Sequence, residues 1–361
     1  MDPVEIELPT YRILIARGAL GEVGHLASAT TRAHRYALIA DSNVAPLYAA
    51  RVRSALGEGR TRLYTIPAGE EQKTRENWST LTDALLGDGF GRDSAIIALG
   101  GGVVGDLAGF VAATFMRGIP FVQLPTTLLA MIDASIGGKT GVDTPEGKNL
   151  VGAFHDPAAV IADPDVLRTL PAEHLRAGLA EAIKHGVIAD ASHFEEVVGV
   201  APEIVSGSRS AAAVLERIVV RSVGIKADVV RRDQREGGVR KTLNFGHTIG
   251  HAIELRSDYR MLHGQAVAVG MVIESRMAER VGVAERGTSD RIREGVERAG
   301  LPAARPLEQT PSDIVAATRH DKKARAGVVE YALPARIGEM AGADRGWGVA
   351  VSDEIALEAL Q

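Results

Sequence analysis

Apolar positions in the first half of the chain fall into short continuous runs separated by stretches of helical spacing. Tyr36 to Ala40 (YALIA) is one such run, and it ends in Asp41-Ser42-Asn43, a turn and cap signal. Helical spacing follows over roughly 45–56, then a strand-like run from Arg62 to Ile66 ending at Pro67, then helical spacing from Arg75 to Leu86. Ala95 to Leu99 predicts a buried strand that runs into a glycine turn, Leu107 to Phe115 a helix, and Phe121 to Leu124 a strand halted by Pro125. Strands and helices alternating in this way predict a parallel sheet covered by helices. The pattern changes after about residue 170. Leu175 to Ile188, Ala211 to Val230, Gly246 to Leu255 and Val267 to Val281 all repeat apolar residues at helical spacing. Val328 to Leu333 is the clearest remaining strand-like run. The expected architecture is therefore α/β plus α: a parallel-sheet domain over 1–168 and a mostly helical domain over 169–361.

Composition narrows the chemistry. The chain has 361 residues and a net charge of -5, which gives no electrostatic footprint for nucleic acid or an anionic membrane. It has no cysteine, so any metal must be held by His, Asp or Glu. The apolar stretch 94–115 is broken by a glycine cluster and carries Asp106, so a buried strand and turn are expected there, not a membrane span. The start, MDPVEIELPT, lacks the basic and apolar regions of a signal peptide, and a cytoplasmic location is expected.

Three polar segments carry candidate chemistry. Gly100, Gly102 and Gly105 fit G-x-G-x-x-G after a strand and before a helix, the context in which backbone N–H groups approach a pyrophosphate. The motif lies far into the chain, and no acidic residue stands about twenty positions later to hold a ribose. Asp41 offers a substitute, and a turn serving only packing is the competing reading. Gly69 to Lys73 (GEEQK) supplies carboxylates and a lysine, though such a segment is usually a solvated loop. Asp133 to Asn149 places Lys139 and Lys148 in a loop expected to be flexible, with Arg117 upstream; together they suit a phosphorylated or carboxylated ligand. Gly138-Lys139-Thr140 is not a phosphate-binding P-loop, because position 133 is Asp where a glycine is required.

The helical half carries a metal-ligating pattern. Glu181, Lys184 and His185 share one helix face, His247 and His251 stand one turn apart on another helix, and His263-Gly264 opens a third. Spacing alone favours His247 with His251 as a ligand pair. One Glu and two His with an open position form a known catalytic zinc arrangement.

At this point the segments GGGVVGDLAGFVAATFMRG, PTTLLAMIDASIGGKTGVDTPEGKNLVGAF, AEAIKHG and LNFGHTIGHAIE followed by LHG identify a resemblance to the 3-dehydroquinate synthases, which are sugar-phosphate cyclases. It covers about 36–340. The resemblance implies a Rossmann-like NAD-binding domain, a helical metal-binding domain and an active site in the cleft between them. It implies Glu181, His247 and His263 as metal ligands, for Zn2+ or Co2+, which moves His251 from ligand to proton acceptor. NAD would be met by Asp41, Asn43, Glu70, Lys73, Gly101, Gly102, Val103, Gly105, Asp106, Thr126, Thr127, Lys148 and Thr169. The substrate pocket would include Arg117, Asp133, Lys139, Asn149, Lys184, Lys226, Arg240 and Asn244, with Glu236 and His251 handling protons. Lys322 or Lys323 would reach the substrate phosphate. The implied reaction converts 3-deoxy-D-arabino-heptulosonate 7-phosphate to 3-dehydroquinate by transient oxidation, phosphate elimination, reduction, ring opening and aldol closure. A homodimer is implied as well.

The chain departs from the family pattern at Gln265, where Glu usually follows LHG, and at Lys241-Thr242 before LNFGH. Gln265 is expected to retune the ligand His263. Retained Arg240 and His251 favour a carboxylated substrate over the substrates of related cyclases. A cyclase of an amino analogue and a metal-dependent NAD polyol dehydrogenase are the competing activities.

Overall fold

The computed structural model describes residues 2–208, 211–257, 260–319, 324–325 and 328–361. The chain divides into two compact units, residues 1–170 and 171–361.

The first unit is built on a seven-stranded sheet. Strands β1 (Val4–Glu7) and β2 (Arg12–Ile15) form a hairpin. Next come α1 (Val23–Thr31), β3 (Arg35–Asp41), α2 (Ala50–Leu56), β4 (Thr61–Ile66) and α3 (Arg75–Gly87). The alternation continues through β5 (Ser94–Gly100), α4 (Gly102–Thr114) and β6 (Phe121–Pro125). A separate hairpin, β7 (Lys139–Thr144) and β8 (Gly147–Phe154), precedes β9 (Ala159–Ala162), which rejoins the sheet. The sheet order is β1-β2-β9-β6-β5-β3-β4, and only the β1–β2 pair is antiparallel. Every residue of β5 is buried, which is why YALIA and AIIAL read as continuous runs instead of alternating ones. The chain leaves β3 towards β4 on one side, while β5 and β6 lie on the other. Such a reversal opens a crevice at the carboxyl ends of the strands, where open α/β sheets bind ligands.

Two expectations need correction here. Helix α4 begins at Gly102, not Leu107, because the glycine turn forms its first turn. The segment 133–149, expected to be a flexible loop, starts at the end of a single helical turn, Ala130–Ala134, and lies mostly in the β7–β8 hairpin. Glycines allow that hairpin to close: a Cβ at Gly152 would stand 2.1 Å from the Thr140 carbonyl oxygen.

The second unit comprises α5 (Ala172–Ala189), α6 (Ala191–Val205), α7 (Ala211–Arg232), α8 (His247–Arg256) and α9 (His263–Arg280). It continues with α10 (Thr288–Arg298), α11 (Pro311–Thr318) and α12 (Asp353–Ala359), together with short strands such as Val328–Tyr331 and Val349–Ala350. Helix α9 is buried along most of its length, with Val269, Ile273 and Met277 in one apolar cluster with Ile249 and Ile253 of α8. It starts four residues earlier than its apolar spacing suggested, at His263 itself. Among the described residues no helix is long and apolar enough to cross a membrane; the 94–115 stretch is divided between β5 and α4.

Candidate active site

Glycine contacts bring three helices of the second unit close enough to share a polar centre. A Cβ at Gly264 of α9 would lie 2.1 Å from the Ala177 carbonyl oxygen of α5. One at Gly270 of α9 would lie 1.9 Å from the carbonyl oxygen of Gly246, the left-handed residue (φ +78°) that starts α8. No larger residue fits either place, so the glycines beside the histidines are packing devices that allow the ligating residues to meet.

At that meeting point Glu181, fully buried on α5, turns Oε1 towards Nε2 of His247 at 3.6 Å and Nε2 of His263 at 3.5 Å. Both distances are long for a hydrogen bond. They match a coordination edge instead: with metal–ligand bonds of about 2.0–2.2 Å, tetrahedral donors stand roughly 3.3–3.6 Å apart. The donor set is oxygen plus two imidazole nitrogens, which suits a borderline divalent ion such as zinc.

The surrounding hydrogen bonds orient these donors. His247 donates from Nδ1 to the Phe245 carbonyl at 3.1 Å, leaving Nε2 to face Glu181. His263 Nδ1 faces Glu254 Oε2 at 3.3 Å. Glu274 of α9, fully buried, accepts the backbone N–H groups of Gly246 at 2.7 Å and Ile249 at 3.0 Å, and so holds the first turn of α8. Lys184 forms an ion pair with Glu181 Oε2 inside the same buried region. Burial and the Lys184 charge hold His247 well below the usual imidazole range, so it is neutral. Burial lowers His263 too, but the Glu254 and Glu181 carboxylates outweigh it and raise the ring. The negative charge that retains a proton there equally favours a cation.

His251, one turn after His247, brings its ring to 5.3 Å from that of His247 and 5.8 Å from that of His263. It is partly exposed and therefore placed to exchange protons. Glu254 and Glu274 escaped the sequence reading; the signal was a lone carboxylate within an apolar helical run, HAIE and VGMVIES. Gln265 Oε1 accepts the Leu262 N–H at 3.1 Å, so it caps the start of α9.

A loop before α8 gathers three more candidates. The Asp233 carboxylate accepts N–H groups from Gly237 (3.0 Å), Gly238 (2.6 Å) and Arg240 (3.0 Å), closing the turn. Burial raises Asp233, but these donors prevail and hold it low. Arg240 is 2% exposed and donates to the Gln234 carbonyl. Asn244 donates to Glu236 Oε1 at 2.6 Å, and Glu236 adopts a left-handed φ of +61°. Lys226 is buried on α7. Lys322 and Lys323 lie outside the described residues.

In the first unit, the candidate cofactor residues collect at the carboxyl edge of the sheet. Ala40 of β3 pairs with Leu99 of β5, so Asp41 and the glycine turn end neighbouring strands. Asp41 Oδ1 accepts the N–H groups of Asn43 (2.8 Å) and Val44 (3.0 Å). Gly101 begins α4 without a side-chain cap, which leaves the first-turn N–H groups of Gly102 and Val103 without helical acceptors. A Cβ at Gly105 would reach Gln123 Oε1 at 2.5 Å, so a side chain there would displace the end of Gln123. Thr126 donates its N–H to the Gly100 carbonyl, and Thr127 Oγ1 accepts that of Ala130. Thr169 Oγ1 lies 2.6 Å from the Tyr48 hydroxyl.

The GEEQK segment is not a simple solvated loop. Lys73 is buried and donates to Asp106 Oδ2 and Asn149 Oδ1, both at 2.6 Å, and Lys148 pairs with Glu70 at 3.1 Å. Burial opposes the charge of Lys73, but Asp106, Glu70 and Asp143 outweigh it and raise its pKa. Arg117 (φ +67°) and Asn149 (φ +54°) both hold left-handed backbone, as Glu236 does. Strain of this kind in non-glycine residues concentrates at functional sites. Lys139 opens β7, just after Gly137, whose N–H is accepted by the Tyr11 hydroxyl at 2.9 Å, and Asp133 lies in the helical turn before it.

The chain is similar to several known proteins. Residues 63–177 match the family model described as 3-dehydroquinate synthase N-terminal, and residues 178–324 match the one described as 3-dehydroquinate synthase C-terminal. A 3-dehydroquinate synthase from Symbiobacterium thermophilum is 46% identical, covering 93% of this chain and 94% of its own. A solved 2-deoxy-scyllo-inosose synthase complexed with carbaglucose-6-phosphate, NAD+ and Co2+ superposes with a TM-score of 0.88 at 26% identity, covering 99% of each chain. A 2-epi-5-epi-valiolone synthase from Streptomyces hygroscopicus with NAD+ and Zn2+ bound gives a TM-score of 0.85 at 29% identity, covering 98% of this chain and 97% of that one. With both halves matched and a relative 46% identical over most of the chain, the chain belongs to the 3-dehydroquinate synthase family.

Proposed function

We propose that the chain converts 3-deoxy-D-arabino-heptulosonate 7-phosphate to 3-dehydroquinate and phosphate, with NAD and one divalent ion, Zn2+ or Co2+, as cofactors. The observation that supports this reading is the convergence of Glu181 Oε1 with Nε2 of His247 at 3.6 Å and Nε2 of His263 at 3.5 Å, in a chain of this family. The identity of 46% to a 3-dehydroquinate synthase, against 26% and 29% to cyclases of other substrates, favours the carboxylated substrate. When bound, NAD would accept and return a hydride, and the metal would polarise the hydroxyl on the carbon from which that hydride leaves.

The chain's own residues do the rest. In the second unit His251 takes the proton of that hydroxyl, with Glu236 as its partner in proton handling. Arg240, pre-oriented by its bond to the Gln234 carbonyl, pairs with the substrate carboxylate. Lys184, Lys226 and Asn244 hold substrate oxygens, and Lys322 or Lys323 the phosphate. In the first unit Arg117, Asp133, Lys139 and Asn149 complete the clamp. NAD is held by Asp41, Asn43, Glu70, Lys73, Lys148 and Thr169, by the first turn of α4 from Gly101 to Asp106, and by Thr126 and Thr127. Residues 1–168 serve mainly as the NAD-binding domain and 169–361 as the metal-binding domain with most of the substrate contacts.

The chain acts in the cytoplasm as a homodimer. Exposed Leu150, Val151 and Phe154 on β8 support a partner surface. Glu181→Ala tests the reading: it should abolish both bound metal and phosphate release. Unchanged metal content would remove Glu181 from the site.

A further inference from the structure

We infer that Glu254 is a positioning residue for the metal centre: by accepting the Nδ1–H of His263 it fixes that ring with Nε2 turned towards Glu181. This rests on the reading of Glu181, His247 and His263 as ligands.

The two histidines are oriented by different means. His247 is held by a neutral acceptor, the Phe245 carbonyl, deep between helices. His263 is the first residue of α9, its side chain is 30% exposed, and its outer nitrogen meets a carboxylate at 3.3 Å. A ring attached at a helix start has room to flip and exchange its two nitrogens. The carboxylate removes that freedom and makes the imidazole a stronger donor to a cation. Glu254 itself is 2% exposed on α8. An ionised side chain that deep is costly unless it is paired, so an apolar residue would serve packing better. The contact joins the last turns of α8 to the first residue of α9, so the brace and the ligand belong to different helices. A competing possibility is on the same atoms: His251, Glu254 and His263 present donors within 4.8 Å of one another, a second cation position.

The experiment uses the full chain stripped with a chelator and titrated with Zn2+ against a chromophoric competitor, and with Co2+ followed by its visible absorption. Glu254→Gln should stay folded when metal-free, still take up one equivalent of Zn2+, and bind it about 10–100-fold more weakly. Its Co2+ spectrum should shift, which a purely structural role would not produce. Glu254→Asp, which keeps the charge, should lose less. If both variants bind Zn2+ as tightly as the wild type, the inference is overturned. It is also overturned if the wild type takes two equivalents and Glu254→Gln loses only the second. His263→Ala separates the two levels: full affinity in that variant would sink the ligand reading, whereas a loss there with none in the Glu254 variants sinks only the role of Glu254.

Discussion

Glu274→Gln is the most economical test of how the helical unit is held together. The change keeps size and shape and removes one charge. In the native chain both carboxylate oxygens accept backbone N–H groups, from Gly246 at 2.7 Å and Ile249 at 3.0 Å, at a fully buried position. Hydrogen bonds to a charged group contribute about 1.5–3 kcal/mol each. The glutamine oxygen still accepts one N–H, but its NH2 meets the other, leaving a buried donor unsatisfied at about 1–3 kcal/mol. The net loss is therefore about 2–4 kcal/mol. At about 2–4 °C per kcal/mol for a unit of this size, the metal-free melting temperature should fall by roughly 5–15 °C. His247 lies in the turn being held, so Zn2+ affinity should fall as well. Circular dichroism melts of chelator-treated protein and a Zn2+ titration read both. An unchanged melt with unchanged affinity would refute the claim that this carboxylate anchors α8.

Three further outcomes follow from particular contacts. Gln265→Glu keeps the cap on Leu262 and adds a negative charge at the start of α9, so Zn2+ affinity should stay the same while stability rises by about 0.3–1 kcal/mol; an affinity change by competition titration would return Gln265 to the metal. Lys73→Met removes the ammonium between Asp106 and Asn149 and should cost about 3–5 kcal/mol in urea denaturation and weaken NAD+ binding as read by calorimetry; full NAD+ affinity would argue against this network as the cofactor's support. His193 is lowered to about 4 by burial, with the His185 and Arg221 charges adding to it. Its folded value lies below its unfolded one, so its contribution is complete above about 6.5 and is lost as pH falls towards 4. His193→Gln, facing Ser222, should flatten the acid side of the melting-temperature profile over that window, and an identical profile would contradict it.

Much of the first unit was legible because β3, β5 and β6 are covered on both faces, and continuous apolar runs such as YALIA report that directly. The hairpin at 139–154 was not legible: its strands carry Lys139, Lys148, Asn149 and three glycines, and it closes through backbone contacts that leave no apolar period. In the helical unit, spacing named His247 and His251 because an i, i+4 pair is local. Donor geometry instead joins His247 to Glu181 and His263, residues 66 and 16 positions away in the chain. Those contacts depend on Gly264 and Gly270 allowing backbones to touch, a tertiary fact that a single helix cannot encode. Glu254 and Glu274 were visible only as misplaced charges, and the bond from Leu262 to Gln265 was not legible.

The central claim is that this chain performs a redox-neutral cyclisation at the Glu181–His247–His263 centre. Its most direct test is to supply the metal-loaded protein with 3-deoxy-D-arabino-heptulosonate 7-phosphate and NAD+, and to follow phosphate, 3-dehydroquinate and NADH together. Phosphate and 3-dehydroquinate should appear in equal amounts with no net NADH. NADH accumulating without phosphate release would contradict the account and identify a dehydrogenase.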